Sequence, residues 1–270
     1  MEAGGTALVT GASRGIGRAV ALDLARAGFD VVATMRDPAA GAGLAAEAVG
    51  AVGSLTVTRL DVTDPSSIVI PDRLRLLVNN AGTELDYLPV EHTPLEQWRH
   101  VFETNLFGLV DVTRRAIPSL KAAGGGVICS ITSSSILVPV PFYAVYRASK
   151  AAVEAMSDTL RLEVEPFGIR VVTILPGPVE SDMLANADRP REAEAYPDYA
   201  PMARAAYELQ SGHLQPTPAA VAAGLIRQAI LSDAPAQRWH CDPMGEALLA
   251  AWRRSPDDVL TALTDGSGRR

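Results

Sequence analysis

Cysteine is scarce: the 270-residue chain has two, Cys129 and Cys241, far apart in sequence. That spacing gives neither a metal knuckle nor a disulfide framework, so both are expected as reduced, core-type thiols, and no metal site is expected. Long apolar runs are missing as well. No stretch approaches the ~18 residues of a membrane span. Met1-Glu2-Ala3-Gly4-Gly5 has neither the basic nor the apolar segment of a secretory leader. The reading is a cytoplasmic protein with no membrane partner. Excess positive charge is also lacking: 24 Lys and Arg stand against 31 Asp and Glu, a net charge of −7. Nucleic acid and anionic membrane surfaces therefore find no electrostatic footprint, and a small-molecule partner is favoured. No internal repeat, Ser/Gly linker or shift in composition divides the chain, and its length fits one large α/β domain, residues 1–270.

What is present is a chain with 48% hydrophobic and 20% charged residues, enough to build a sizeable core. Runs rich in Val, Ile and Leu (Thr6–Thr10, Asp30–Met35, Leu55–Leu60, Leu74–Asn79, Gly126–Ile131 and Ile169–Leu175) alternate with Ala-rich helical stretches. Short apolar strands separated by helices predict a parallel sheet buried on both faces. The best helix spans Tyr143–Phe167, where Val153, Met156, Leu160 and Val164 recur at spacings of three and four before Pro166 and Gly168 end it. After Leu175 the alternation fails. The stretch to about Gln215 carries prolines, aromatics and charges and reads as an irregular or helical excursion, a candidate substrate lid at about residues 178–215. A helix is expected over Thr217–Leu231, a last strand over Arg238–Asp242, and a frayed tail over Asp265–Arg270. The fold class is thus α/β: a doubly wound, Rossmann-type parallel sheet of about seven strands with helices on both faces.

Directly after the first strand comes Thr10-Gly11-Ala12-Ser13-Arg14-Gly15-Ile16-Gly17, followed by an Ala-rich helix through Ala27. Glycines there permit a tight turn and close approach of backbone to a pyrophosphate, whose charge sits against the positive end of the helix. The spacing is G-x-x-x-G-x-G, not G-x-G-x-x-G, so the dinucleotide logic is kept while the letter differs. At the end of the second strand a carboxylate gripping the ribose 2′-hydroxyl would indicate NAD(H), whereas an arginine holds a 2′-phosphate. That strand ends Thr34-Met35-Arg36, and Arg14 adds a second guanidinium, which favours NADP(H). The counter-reading gives the ribose to Asp37 and leaves Arg36 solvated. Asp37, however, precedes Pro38 and suits a helix cap.

Tyr146 and Lys150 stand four apart near the start of the long helix and project from one face. Ser133 follows the strand ending at Ile131. In a doubly wound sheet both positions border the crevice at the carboxyl edge. Reducing a ketone by hydride leaves an alkoxide that needs a proton. A phenol supplies it, a nearby ammonium lowers that phenol's pKa, and a serine hydroxyl holds the carbonyl oxygen.

Gly11-x-x-x-Gly15-x-Gly17, Asn79-Asn80-Ala81-Gly82, Ser133 thirteen residues before Tyr146, Tyr146-x-x-x-Lys150 and Pro176-Gly177 together resemble the short-chain dehydrogenase/reductase family over about Thr6 to Ser181. The resemblance implies Tyr146 as general acid/base, Lys150 as its support and holder of the nicotinamide ribose, and Ser133 as the group orienting the substrate oxygen. It implies Asn105, in Thr104-Asn105-Leu106-Phe107-Gly108, as anchor of a water-linked proton relay to the lysine. Asp61 and Val62 would meet the adenine. Asn80, Ala81 and Gly82 would line the cofactor path, while Pro176, Gly177, Val179 and Ser181 would border the nicotinamide. An ordinary turn cap before Pro65 is the plain alternative for Asp61.

The Pro139-Val140-Pro141-Phe142-Tyr143 stretch and the Pro-Phe-Gly helix end are similar to the steroid- and retinol-type branch, suggesting a bulky, rather apolar alcohol or ketone. Val138, Val140, Tyr143, Met183 and Leu184 are the candidate pocket residues. The short Asp61–Asn79 interval predicts a truncated helix before the fourth strand. Ser134 and Ser135 adjoin Ser133, so spacing alone selects the serine. The resemblance also suggests a homo-oligomer, a dimer or tetramer, packed through Glu96–Leu120 and the long helix, whose Ala151, Ala152 and Ala155 offer a small-residue surface. Two other readings on this fold are a lyase, which would carry Arg in place of Lys150 and lack the glycine turn, and a non-catalytic nucleotide sensor.

Overall fold

The computed structural model describes residues 1–181, 184, 189–211, 215–233 and 236–256. Among them, seven strands form one parallel sheet: β1 (Thr6–Val9), β2 (Asp30–Met35), β3 (Ser54–Arg59), β4 (Leu74–Asn79), β5 (Gly126–Ile131), β6 (Ile169–Ile174) and β7 (Arg238–Trp239), in the order 3-2-1-4-5-6-7. The central strands are largely apolar because both faces are covered, and side chains alternate between two cores. Ala7, Val9, Leu76, Val78, Val127 and Cys129 enter one core. Leu8, Leu77, Ile128 and Val171 enter the other.

The first core is closed by α1 (Gly15–Ala27), through Val20 and Leu24, and by α7 (Ala219–Leu231), through Ile226 and Ile230. The second is closed by α4 (Leu109–Ala122), through Val112 and Leu120, and by α5 (Ala144–Val164), through Leu160 and Val164. Leu77 is wholly buried, and truncating such a leucine to alanine costs about 2–5 kcal/mol. Both cysteines are free and buried, and desolvation pushes the Cys129 thiol up to about 12. Among the described residues no helix is long and apolar enough to cross a membrane.

The crossover between β3 and β4 shrinks to a 3-10 turn at Pro65–Ser67, matching the truncation foreseen from the short interval. The β2–β3 connection is short too, with a 3-10 turn and then α2 (Leu44–Glu47). α3 (Leu95–Phe102) runs into α4 through a π-helical turn at Glu103–Gly108. The excursion after β6 holds a 3-10 segment at Arg189–Ala195 and α6 (Ala200–Ser211). Three expectations are corrected. The helix assigned from Thr217 begins at Ala219, because Thr217 pairs in a parallel bridge with Val179 and its N–H donates to the Pro178 carbonyl at 2.9 Å. The last strand stops at Trp239 rather than Asp242, because the Asp242 side chain accepts from the Gly245 N–H and caps α8 (Pro243–Arg254), a helix the periodicity reading did not identify. Tyr143 lies just outside α5, as its N-cap residue. Met183 and the Asp265–Arg270 tail lie outside the described residues.

Candidate active site

Strand order reverses between β1 and β4, so the loops leaving their carboxyl ends diverge and open a crevice. The glycine turn forms one side of it. Gly11 and Gly15 have φ of +66° and +55°, where a side chain is strained, and a Cβ on Gly17 would fall 2.3 Å from Asn80 Nδ2. Asn80 braces this turn: its Nδ2 donates to the carbonyls of Thr10 and Gly11, both at 3.0 Å. The Thr10 hydroxyl in turn accepts from the backbone N–H groups of Asn80 and Ala81, at 3.0 and 3.1 Å. The first turn of α1 carries no acidic side chain, so the positive end of the helix faces the crevice unopposed. These features fit a bound pyrophosphate.

The crevice is a cleft of about 510 Å³. Of the residues singled out in the sequence as catalytic or cofactor-binding, every one except Asn105 lines it. At the far end stand Arg36, Asp61 and Val62. Arg36 is exposed, whereas Asp37 is not on the cleft wall and its carboxylate accepts from the Ala39 N–H at 2.9 Å, capping the Pro38–Gly41 turn. Asp61 lines the cleft, and its Oδ1 accepts from the Thr63 N–H and hydroxyl at 3.0 and 2.8 Å; the cap of the Pro65–Ser67 turn is Asp64 instead, which accepts from the Ser66 N–H.

At the opposite end Ser133, Tyr146 and Lys150 converge. The Ser133 hydroxyl hydrogen-bonds the Tyr146 phenol and favours its ionised form, but desolvation is the stronger influence and, with Tyr143 adding to it, pushes the phenol up to about 12. Burial pushes the Lys150 ammonium down to about 8. Its Nζ donates to the Ile131 carbonyl at 2.9 Å and lies 5.7 Å from the centre of the Tyr146 ring. In the chain alone, then, burial outweighs the neighbouring ammonium, contrary to the lowered phenol that the four-residue spacing suggests.

Among the three serines, Ser133 alone lines the cleft. The Ser135 hydroxyl donates to Ser133 Oγ at 2.9 Å, and the Ser134 N–H donates to the Pro176 carbonyl at 2.8 Å. Asn105 sits in the π turn, 1% exposed and off the cleft wall. Its amide accepts from the Thr83 N–H at 2.7 Å and donates to the Thr83 carbonyl at 2.8 Å and to Ser149 Oγ at 3.0 Å. Asn105 Oδ1 and Lys150 Nζ both approach Gly82, where a Cβ would meet them at 3.3 and 3.4 Å.

Several residues were not identified from the sequence. Glu84 and Tyr87 line the substrate end beside Tyr143 and Leu184. Val138 and Val140, expected there, pack instead with Leu175, Leu249 and Trp252 beneath α8. Asp242, 1% exposed, accepts from the Gly177 N–H at 2.6 Å and the Gly245 N–H at 2.8 Å, fixing the Pro176–Gly177 turn. The Asp-Pro pair at residues 242–243 is a helix-start signal that sequence alone offers.

A parallel α/β sheet with a phosphate-type glycine turn at its switch point and a phenol, an ammonium and a hydroxyl in the same cleft defines a nicotinamide-dependent oxidoreductase of the Rossmann type. The chain belongs to the short chain dehydrogenase family, whose sequence model matches residues 5–192. It is similar to human retinol dehydrogenase 8, with 38% identity over 186 residues that cover 66% of this chain and 60% of that protein. A short-chain dehydrogenase from Streptomyces avermitilis superposes with a TM-score of 0.81 at 30% identity, over 99% of this chain and 98% of the other. A short chain dehydrogenase from Burkholderia cenocepacia, solved in complex with NADP, superposes with a TM-score of 0.73 at 25% identity, over 96% and 97% of the two chains.

Proposed function

We propose that this oxidoreductase transfers hydride between NADP(H) and a secondary alcohol or ketone, bulky and largely apolar, with Tyr146 as acid/base. The observation that carries the reading is the sharing of one cleft by the glycine turn, Arg36 and the Ser133, Tyr146, Lys150 group. Arg36 and Arg14 would hold the 2′-phosphate, the N-terminus of α1 the pyrophosphate, Asp61 and Val62 the adenine side, and Pro176, Gly177, Val179 and Ser181 the nicotinamide side. The NADP complex of the Burkholderia relative supports this choice over NAD. When bound, the nicotinamide gives or takes the hydride at the carbonyl carbon.

The chain's own residues handle the proton. In reduction the Tyr146 hydroxyl gives its proton to the carbonyl oxygen, and in oxidation the phenolate takes it back. Ser133 donates a hydrogen bond to that oxygen, where charge develops. Lys150 would hold the nicotinamide ribose and return a proton to the phenolate. Asn105, fixed between Thr83 and Ser149, would hold the far end of a water-linked relay to Lys150. The 178–215 excursion serves as the substrate lid of a single catalytic domain. A dimer or tetramer would form through the α3–α4 and α5 faces, a reading supported by the exposure of Ala151 and Ala155 on α5.

The test is NADPH oxidation with a panel of ketones, run on the wild-type chain and on Tyr146→Phe. The wild type should turn over bulky ketones. The variant should bind NADPH as before and lose about 10²–10⁴-fold in rate. Turnover in Tyr146→Phe equal to wild type would remove the assignment.

A further inference from the structure

Tyr143 stands three residues before Tyr146, as the N-cap residue of α5. Its ring meets the Tyr146 ring edge-on, with centroids 6.3 Å apart and planes at 88°. On its other side it stacks on Tyr87, with centroids 4.1 Å apart and planes within 5°. Tyr87 is 3% exposed, and its hydroxyl donates to the Glu84 carboxylate. Its backbone N–H donates to Glu192 Oε2 at 2.7 Å. Glu192 belongs to the Arg189–Ala195 segment of the excursion, so one carboxylate on that segment leads through two rings to the phenol in the cleft.

The same segment also reaches Tyr143 from the other side. Phe142 has φ of +69°, a left-handed conformation uncommon for a bulky residue, and so needs support from its surroundings. Its ring meets Tyr199 edge-on, with centroids 6.2 Å apart. The Tyr199 hydroxyl donates to Glu91 Oε1 at 2.6 Å, and Tyr196 stacks on His92 at 4.1 Å. The start of α5 is therefore gripped on both flanks by residues 192–199.

We propose that Tyr143 is a positioning residue for Tyr146, and that docking of the 189–199 segment, through Glu192 on Tyr87 and Tyr199 on Phe142, sets it in place. The proposal rests on the reading of Tyr146 as acid/base. The segment does more than cover the substrate, because its docking fixes the direction of the reacting phenol, where small misplacements are costly in rate. The groups facing Tyr146 are Tyr143 from the N-cap of its helix, Lys150 from the helix itself, Ser133 from the end of β5, and Tyr87, with Glu84 and Glu192 behind Tyr87.

The experiment compares Glu192→Ala, Glu192→Gln, Tyr143→Ala and Tyr143→Phe in steady-state kinetics with NADPH and a ketone that the wild type reduces, and in the pH profile of alcohol oxidation. The two alanine variants should lower kcat about tenfold or more, with the KM for NADPH changed far less. Tyr143→Ala admits water to the phenol, so the pH at which oxidation levels off should fall. Glu192→Gln keeps an acceptor and Tyr143→Phe keeps the ring, so both should recover most of kcat. Wild-type kcat and pH profile in both alanine variants would overturn the proposal. So would a loss that only tracks the folded fraction seen by thermal denaturation. Should Tyr143→Ala fail to fold, the exposed Glu192 pair carries the decision. Turnover lost in Tyr146→Phe but untouched in the alanine variants sinks only the positioning role; turnover kept in Tyr146→Phe sinks the acid/base reading itself.

Discussion

Arg36 and Asp37 are adjacent, yet they face different work. The guanidinium lines the cleft while the carboxylate is engaged by the Ala39 N–H. Sequence separates them through Pro38, which marks Asp37 as a cap, and the Pro38–Gly41 turn does engage that carboxylate. Charge-assisted hydrogen bonds are worth about 1.5–3 kcal/mol. Arg36→Asp should therefore lower kcat/KM for NADPH by about ten- to a hundredfold and raise it for NADH; unchanged selectivity would return Arg36 to the solvent. Lys150 offers a direct titration. It and the exposed Lys121 are the only lysines of the chain, so ¹³C-dimethylation gives just two lysine resonances beside that of the N-terminal amine. The buried signal should titrate near 8. An unfolded lysine holds its proton to about 10.4, so between these pH values the unfolded chain binds the extra proton and this group's contribution to stability rises with pH. A signal that stays protonated past pH 10 would contradict the burial argument. The identity of the serine marks a limit: three neighbours share one composition, and only the turn at Ser133–Ser135 decides which hydroxyl reaches the cleft.

The strands are legible as short apolar runs, which a parallel sheet buried on both faces requires, and the long helices by their 3.6-residue period. The ends of elements are less so. β7 is two residues long, too short for a pattern. Arg238 within it acts through its side chain: its guanidinium donates to Glu154 Oε2 at 2.9 Å and Asp158 Oδ2 at 2.7 Å on α5. Glu154 is 5% exposed and also accepts from the Thr132 hydroxyl at 2.8 Å, next to Ser133. Burial pushes its carboxyl up, with Thr132 and Arg238 opposing. Removing Glu154 leaves Arg238 paired with Asp158 but loses a charge-assisted hydrogen bond in a buried setting. Glu154→Ala should cost about 1.5–3 kcal/mol in urea denaturation, and Glu154→Gln less; a cost below about 0.5 kcal/mol, typical of surface sites, would mean the pair behaves as an exposed one. The π turn at Glu103–Gly108 marks a second place where pattern fails. No periodicity announces this turn, in which Asn105 points inward, off the cleft wall, and ties Thr83 to Ser149.

At the scale of the molecule, the switch point and the cleft that opens there follow from strand order, which the alternation of strands and helices nearly dictates. The docking of the excursion was not legible. His92 and Tyr196, or Glu91 and Tyr199, are about a hundred residues apart, and no local pattern links them. Assembly is the remaining expectation at this scale. Ala151 and Ala155 are exposed on α5, and Phe107 and Leu162 are 56% and 68% exposed, so a second copy would find small and apolar side chains to cover. Sedimentation at micromolar concentration should give a dimer or tetramer; a monomer alone would refute the assembly.

Asp242 is a single side chain with two customers, the amide of Gly177 on the cleft and the amide of Gly245 in α8. The helix also packs Leu249 onto Leu137, Val138 and Leu175, so it is fastened to the cleft from two sides. Redesign of its exposed face is free only while Asp242, Gly245 and Leu249 stay in place, because loosening residue 242 would slacken a strip of the cleft's floor 65 residues away in the chain.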